Sequence, residues 1–560
     1  MNKLVTIMLV FFLGLATVAA QELTLDPQQY VNHQITADTL ANGSQAHSVY
    51  KVVSGNYYAF DGALECDFDL VIEGPYNGWI LHDATPPVFF QTPAAAGTQR
   101  DMINLNQGGS VTLKNILLTG LHPNDVNISS FVRNFAGYKI VWDNCAFSDH
   151  RDHCTRSTGA TQEISITNCV IINGDRRGSS PFGGMPIRLD AACAKLTIEN
   201  NTVVNSGRLL GNGGNFFTSK LHEIHNSYLN QQVNGHEIHW YECIQANNIF
   251  YNWSWRGRKA TTNTYEEVFT TVEDFSAVAS KLDSLALYQG RNLFYLEPAF
   301  TDFWHTTLAD SVFPSYLWNL EVDSTINADD NFTIGKSYGG FDPMFTNNPS
   351  KIDSMLGWSY AAWVSGSRYP DWRITPPVTW NADGTPKLNW PPAMDLSYSN
   401  TYLQTAGTDG LPLGDLNWFP SAKATYMANR DQYVAALQDS MANAKDVYIP
   451  GNSESALITP SMVGVEKENI MTAAKFELDQ NYPNPFNPTT NICFTVPLNG
   501  KVKLVVYNLM GQVVATLVDE YRLAGSHSVK FDATDLPSGM YIYKLKSGDT
   551  VMSKKLMLLK

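Results

Sequence analysis

Basic side chains recur at an almost constant distance from a repeated asparagine. The asparagines are Asn115, Asn144, Asn168, Asn201, Asn226 and Asn248. Seven or eight positions after five of them stand His122, Arg151, Arg176, Arg208 and Arg256, and Val233 interrupts the row. If successive coils of the chain stack, these side chains form a basic stripe. The stripe predicts a track that binds an anionic polymer.

Acids and histidines lie close to the predicted stripe. The clusters are Asp149-His150-Arg151-Asp152-His153, Asp175-Arg176-Arg177 and Arg188-Leu-Asp190. A plainer interpretation is that these acids only pair with neighbouring arginines on solvated loops. His222-Glu-Ile-His225 and His236-Glu-Ile-His239 do not match the His-Glu-x-x-His zinc helix, because their second histidine comes three positions after the first.

The asparagines belong to a repeated phrase that predicts the fold. Each stands between an aliphatic-polar pair and a short apolar run, as in Leu113-Lys-Asn115-Ile-Leu-Leu118 and Ile166-Thr-Asn168-Cys-Val-Ile171. The asparagines are 29, 24, 33, 25 and 22 residues apart, which is typical of a solenoid whose coils bury a continuous core. Asparagine suits a sharp bend, so we expect all six to stack in one ladder.

A second column follows from the same alignment. One residue after each asparagine come Ile116, Cys145, Cys169, Thr202, Ser227 and Ile249, which we expect to face inward. Cys145 and Cys169 would then lie on adjacent coils about 4.8 Å apart. Because neighbouring side chains of a parallel sheet point alongside each other, we expect buried free thiols there.

The phrase resembles the right-handed parallel β-helix of the pectate-lyase-like superfamily. The resemblance implies an all-β chain with a β-helix over residues 21–300. Lyases of this fold cleave uronic-acid polymers by β-elimination, once Ca²⁺ or basic side chains neutralise the carboxylate. The resemblance thus implies substrate binding by the stripe and a base among Lys220, Arg188 and His150. The Asn-Thr-Asp and Gly-Asp-Asp phrases of the related hydrolases are absent from the sequence.

Two interpretations without catalysis stay open. In one, the protein is a surface adhesin or glycan-binding solenoid, and the stripe is only a docking track for an acidic polysaccharide. In the other, the protein is a purely structural component of the cell envelope. The first predicts glycan binding without turnover, and the second predicts no glycan binding.

Residues 301–447 are rich in tryptophan and proline. Trp358, Trp363, Trp372, Trp380 and Trp390 could stack on sugar rings, but we favour a role in covering the open end of the β-helix core. The segment from Ala422 to Lys445 predicts an amphipathic helix that caps an exposed β edge.

The beginning of the chain predicts export. Lys3 precedes an apolar run and the small residues Val18-Ala19-Ala20, as in a signal peptide over residues 1–20. No later segment is apolar enough to span a membrane. The formal charge of -15 includes +1 from residues 1–20 and +2 from residues 476–560, which leaves -18 on the remainder. Nucleic acid is therefore not expected as a partner.

The end of the chain predicts a separate module. A linker over residues 448–475 leads to short apolar runs separated by turn signals such as Asn499-Gly500 and Met510-Gly511, typical of a small immunoglobulin-like β-sandwich over residues 476–560. Tyr482-Pro-Asn-Pro-Phe486, Tyr507-Asn-Leu-Met-Gly511-Gln and Leu536-Pro-Ser-Gly539-Met-Tyr541 resemble the type A C-terminal sorting domain of the type IX secretion system. The resemblance implies export by that machinery to the surface or surroundings of a Bacteroidota-like bacterium.

Overall fold

The chain forms two compact units, which divide between Ile458 and Thr459. A computed structural model describes residues 22–92, 101–121, 128–174, 184–212, 216–232, 236–237, 239–256, 268–271, 286–308, 315–318, 332–334, 336–365, 370–443, 457–460, 476–496, 500–522, 525–547 and 550–560. The predicted signal peptide lies outside these residues.

Three long parallel sheets build the first unit, and each coil of the chain visits them in the same order. The first sheet contains Glu22–Thr24, Val49–Lys51, Asp69–Glu73, Ser110–Lys114, Lys139–Asp143, Thr161–Thr167, Cys193–Glu199, Phe217–Ile224, His239–Ala246, Ala286–Gly290 and Phe332–Ile334. The second contains Tyr57–Phe60, Val88–Gln91, Leu117–Thr119, Ala146–Ser148, Val170–Gly174, Thr202–Ser206, Ser227–Leu229, Ile249–Tyr251, Leu293–Tyr295, Ser337–Gly339 and Leu457–Ile458. The third contains Leu64–Cys66, Ile103–Leu105, Ser130–Asn134, His153–Ser157, Met185–Leu189, Leu210–Asn212, His236–Glu237, Val268–Thr271 and Ser315–Trp318. The predicted parallel β-helix is confirmed, and one strand, Leu457–Ile458, comes from the predicted linker.

The bend between the first and second sheets contains two asparagine columns where we expected one. Asn115, Asn144 and Asn168 occupy the left-handed position with φ between 53° and 58°. Because Val170 pairs with Thr202, the next residue in that position is Asn200, and Asn201 lies one place further along. The single six-member ladder was therefore wrong.

The second asparagine column lies in line with Cys145 and Cys169, which point into the core. Its members Asn201, Asn226, Asn248 and Asn292 are buried. Asn201 donates from Nδ2 to Oδ1 of Asn226 at 2.9 Å, and Asn226 donates to Asn248 at 3.0 Å. The expected inward column of Thr202, Ser227 and Ile249 is thus displaced by one residue. All seven cysteines of the chain are free thiols.

The outer face of the second sheet is covered by the chain that follows residue 340. Asn173 donates from Nδ2 to the carbonyl of Ile374 at 3.0 Å, and the indole of Trp390 donates to the carbonyl of Ile80 at 3.0 Å. The chain then returns past Thr202, whose hydroxyl donates to Asp415 at 2.7 Å. This segment includes the paired strands Phe345–Asn347 with Asp395–Tyr398 and Val378–Trp380 with Pro386–Leu388.

Burial favours the core role of the tryptophans over sugar stacking. Trp358, Trp372 and Trp390 are buried, and Trp380 packs edge-on against Phe90 with ring centroids 5.3 Å apart. The side chain of Trp363 lies outside the described residues. The segment covers the flank of the second sheet, whereas we expected it to cover the end of the β-helix.

The predicted amphipathic helix forms over Pro420–Asn443. Tyr426 and Leu437 pack on Ile224, Ile244 and other outward apolar side chains of the first sheet. Arg430 adds a two-point ion pair with Glu199, with both N–O distances at 2.6 Å. The helix therefore covers the face of a sheet, and the prediction that it caps a β edge was wrong.

Shorter helices complete the first unit. They are the α-helices Val31–Ala37, Pro298–Thr306 and Ile352–Tyr360, the 3-10 turns Ile80–His82, Leu403–Thr405 and Leu416–Trp418, and the π-turn Ala361–Ser365. None of the helices in the described ranges is long and apolar enough to cross a membrane.

The second unit is the predicted antiparallel β-sandwich. Its three-stranded sheet contains Glu477–Leu478, Thr489–Val496 and Gly525–Asp532, and its four-stranded sheet contains Val513–Arg522, Gly500–Tyr507, Gly539–Ser547 and Thr550–Leu558. Side chains from both sheets, including Phe494, Leu504 and Tyr543, form one core.

Candidate anion-binding site

Three arginines stand side by side on the outer face of the third sheet. Arg133 pairs in register with Arg156, and Arg156 pairs with Arg188. Adjacent strands of a sheet are about 4.8 Å apart, so the three side chains form a short row across the coils. We call Arg133, Arg156 and Arg188 the arginine row. Their side chains are between 27% and 33% exposed, so solvent reaches all three.

The strand alternation explains why the row faces outward. On either side of Arg133, Val132 and Asn134 are buried. The Asn134 amide donates to the hydroxyls of Ser157 at 2.9 Å and Thr161 at 2.6 Å inside the coil. Because successive residues of a strand point to opposite faces, these inward groups fix Arg133 on the outside.

Two aspartates hold the arginine row in place. Asp190 accepts from Nε of Arg156 at 2.7 Å with one carboxylate oxygen and from Nε of Arg188 at 2.8 Å with the other. Burial alone would raise the pKa of Asp190, but the hydrogen bonds and charges of these arginines lower it below the usual value. Asp190 is therefore ionised at neutral pH and bridges two members of the row.

The second aspartate is less favourably placed. Asp101 lies 3.5 Å from Arg133, and burial raises the pKa of its carboxyl despite the opposing charge of Arg133. One of its oxygens, Oδ1, is buried without a hydrogen bond among the described atoms. Asp190 and Asp101 thus offset part of the positive charge of the row, and the same register continues through Asn104 to Glu65.

Two buried histidines adjoin the row. His153 begins the strand that carries Arg156. Burial lowers its pKa to about 3 against the opposing charge of Asp152, and the charges of Arg188 and Arg156 lower it further. His150 is fully buried, its Nδ1 is 3.5 Å from Sγ of Cys154, and burial lowers its pKa to about 4. Both imidazoles are therefore neutral at physiological pH.

The structure separates the three residues considered as a base. Arg188 belongs to the arginine row. Lys220 lies on the first sheet and pairs with Glu242 at 3.0 Å, so it faces a different side of the β-helix. His150 is buried beneath the surface, where a Cβ on Gly174 would come within 2.4 Å of its ring.

The predicted basic stripe is not an open track in the part of the chain that the structure describes. His122 and Arg176 lie outside that part. Arg208 and Arg256 are buried, and the guanidinium of Arg256 lies over the ring of Trp358 at 5.7 Å. Arg151 is partly buried in the loop before His153. The role of the stripe in substrate binding stays a prediction.

Sequence reasoning missed Arg133, Arg156 and Asp101, although a signal was present. Arg133, Arg156 and Arg188 are 23 and 32 residues apart, and the bend residues Asn144, Asn168 and Asn200 are 24 and 32 apart. Matching these intervals would have placed the three arginines on consecutive coils.

A second set of bend residues, whose backbone role sequence reasoning missed, lies between the second and third sheets. Asp149, Asn173, Asn205, Asn230 and Asn252 adopt positive φ at the ends of second-sheet strands. Asn230 donates to Oδ1 of Asn205 at 2.8 Å, and Asn252 donates to Asn230 at 3.1 Å. Each follows a bend residue by five positions, a spacing visible in the sequence.

The described residues include no group of three or more histidine, cysteine or acidic side chains able to hold a metal ion. A Ca²⁺ requirement therefore stays a prediction without an identified set of ligands.

The two units define the class of the protein as a parallel β-helix protein followed by a β-sandwich. Residues 480–559 match the family of the secretion system C-terminal sorting domain. No curated protein matches the chain significantly. The sorting domain marks a secreted or cell-surface protein of a Bacteroidota-like bacterium and implies an interaction with the type IX secretion machinery.

Proposed function

We propose that the β-helix unit binds an acidic polysaccharide at the arginine row. The proposal rests on the register of Arg133, Arg156 and Arg188, which lie on three consecutive coils. A guanidinium group presents two parallel donors that match a carboxylate, so a row of them suits a polymer with repeated carboxylates. The sorting domain supports the proposal, because a surface protein meets such polymers outside the cell.

The aspartates orient the arginine row for this task. Asp190 occupies Nε of both Arg156 and Arg188, which restricts both side chains before a ligand arrives. Restricting side chains in advance reduces the entropy lost on binding. Because the rest of the first unit is strongly acidic, the row is a local attraction on a surface that otherwise repels polyanions.

We propose β-elimination as the reaction that this site performs on a bound uronate. The reaction needs a neutral base to take the proton beside the carboxylate and a positive group to neutralise that carboxylate. As the carbon–carbon double bond forms, the bond to the 4-linked oxygen breaks, and that oxygen takes up a proton from water. His153 supports the first role because it is 7% exposed, begins the strand that carries Arg156, and is kept neutral by burial. In this proposal Arg188 neutralises the carboxylate, and Lys220 and His150 take no part.

Binding is tested with the full chain against alginate, pectate and glycosaminoglycans by isothermal titration calorimetry. Replacing Arg156 by alanine removes a charged hydrogen-bond donor of about 1.5–3 kcal/mol, so affinity should fall about 10- to 100-fold. The matched control is Lys195→Ala, which removes the same charge from an exposed position on the first sheet. Equal losses in the two variants would contradict the proposal.

Turnover is measured on the same polymers as absorbance of unsaturated uronate, with and without Ca²⁺. His153→Gln should abolish product formation and leave binding unchanged. If the wild type binds but never forms product, β-elimination is wrong and the glycan-binding adhesin stands. If the wild type binds none of the polymers, both proposals fail and the structural envelope protein remains.

A further inference from the structure

The four-stranded sheet of the sorting domain has a strongly basic outer face. Strand alternation buries Val502, Leu504, Tyr543 and Leu545 in the core. The intervening positions point outward and carry Lys501, Lys503, Lys544, Lys546 and Lys555, all exposed. We call these five residues the lysine face.

Little negative charge offsets the lysine face. Asp519 pairs with Lys503 at 2.8 Å and with Lys501 at 3.4 Å. Among the residues that the structure describes, Lys544, Lys546 and Lys555 have no acidic partner. Among the side chains that the structure describes, one carboxylate therefore faces five ammonium groups on this side of the sheet.

The arrangement of the lysines costs stability. Lys503 stands directly opposite Lys546 on the neighbouring antiparallel strand. Like charges that face each other across a sheet destabilise the pair. Exposed apolar side chains stand among the lysines, since Val551 is 45% exposed and Met540 is 36% exposed. The face thus combines point charges with apolar contact area on one side of the sheet.

We propose that the lysine face docks on a membrane surface that displays the phosphates of lipid headgroups. Ammonium groups bind phosphate as compact point charges, and strands about 4.8 Å apart spread them over a planar array. Apolar side chains between the charges add contact with the interfacial region of the bilayer. The face lies in the sorting domain, so docking acts on the chain for as long as that domain is attached.

The experiment uses the full chain and sedimentation with vesicles of phosphatidylcholine, with and without phosphatidylglycerol. The wild type should bind the anionic vesicles despite its formal charge of -15, and rising ionic strength should weaken binding. Each lysine near an anionic surface contributes about 1 kcal/mol, a factor of about five. The triple variant Lys544→Gln, Lys546→Gln, Lys555→Gln should therefore bind about 100-fold more weakly.

A matched control changes the same net charge elsewhere. Lys195→Gln, Lys387→Gln, Lys530→Gln removes three exposed lysines outside the face, and its binding should stay within about twofold of the wild type. Thermal unfolding confirms that both triple variants fold. The proposal would be overturned if the wild type bound neutral vesicles as well as anionic ones, or if both triple variants lost the same affinity for anionic vesicles. It would also be overturned if the wild type bound an acidic protein and no vesicles.

Discussion

The second and third sheets of the β-helix are both parallel, but their outer faces differ in burial. In the second sheet, strands such as Val170–Gly174 and Thr202–Ser206 are buried along their whole length, because a later part of the chain covers their outer face. In the third sheet, Arg133 and Arg156 remain partly exposed between buried neighbours. Among the residues that the structure describes, the third sheet is therefore the one of the two that can present charge to a ligand.

The contrast has a physical cause. Burying an ionised guanidinium without compensation costs several kcal/mol, whereas an apolar side chain gains from the same burial. The covering segment contributes tryptophans to the second-sheet side, and the third sheet keeps arginines that need water or carboxylates. We therefore expect substitutions next to the second sheet to lower stability and substitutions on the third sheet to weaken ligand binding.

The largest effect is expected for Trp372→Ala in the covering segment. Trp372 is 1% exposed and packs on Trp255 with ring centroids 5.0 Å apart, so its removal should cost about 3–5 kcal/mol of unfolding free energy. Arg156→Ala on the open sheet should cost less than about 1 kcal/mol. Urea denaturation measures both, with the 74% exposed Tyr76→Ala as the control. Equal losses for Trp372→Ala and Arg156→Ala would break the comparison.

An intermediate effect is expected for Asn230→Ala, at the end of a second-sheet strand. Asn230 is buried, adopts φ of 60° and accepts hydrogen bonds from Asn252 and Ser350. Leaving the buried amide of Asn252 without this partner should cost about 1–3 kcal/mol. Asn104→Ala, in an outward position of the third sheet, breaks one exposed hydrogen bond to Glu65 and should cost under about 1 kcal/mol. The same denaturation series distinguishes them, and the reverse order would contradict the interpretation.

The smallest effect at neutral pH is expected for His153→Gln, because His153 is neutral there in both the folded and unfolded states. Burial lowers its pKa in the folded protein to about 3, so below about pH 6.5 the unfolded chain binds more protons. Stability contributed by the neutral imidazole is thus present above that pH and is lost as pH falls toward 3. The variant should lose stability less steeply between pH 6.5 and 4, measured by urea denaturation at each pH.

Burial also lowers the pKa of His150, and His150 is present in both the wild type and the variant. Stability should therefore still fall with pH in the variant, but less steeply than in the wild type. Thr155→Ala, on the same buried strand, removes no ionisable group, so it is the control and should keep the wild-type slope. Parallel curves for wild type and His153→Gln would show that His153 is not buried neutral beside the arginine row.

Sequence alone was sufficient for the β-helix and the sorting domain because their signals are local. An asparagine that tolerates positive φ marks each bend wherever the coil begins, and turn residues mark the ends of the sandwich strands. The same signals could not fix the register. Two of the bends contain a pair of asparagines, Asn200-Asn201 and Asn247-Asn248, and either member could occupy the left-handed position. The first member is selected by strand pairing, of Val170 with Thr202 in one case and of Ser227 with Ile249 in the other.

The candidate site depended on contacts between distant parts of the chain. Arg256 looked like a member of an exposed stripe, but Trp358, about a hundred residues later, lies over its guanidinium. Arg133 and Arg156 carried no local motif and became a site only through stacking.

The sequence by itself determined the class of the fold, the repeated bends and the route of export, since each follows from the conformational preference of a few neighbouring residues. The tertiary structure decided which sheet stays open, which arginines share a face and which asparagine of each pair occupies the bend. Burial and strand register are properties of segments that are far apart in the chain, so their free energies are not encoded in any single stretch of it.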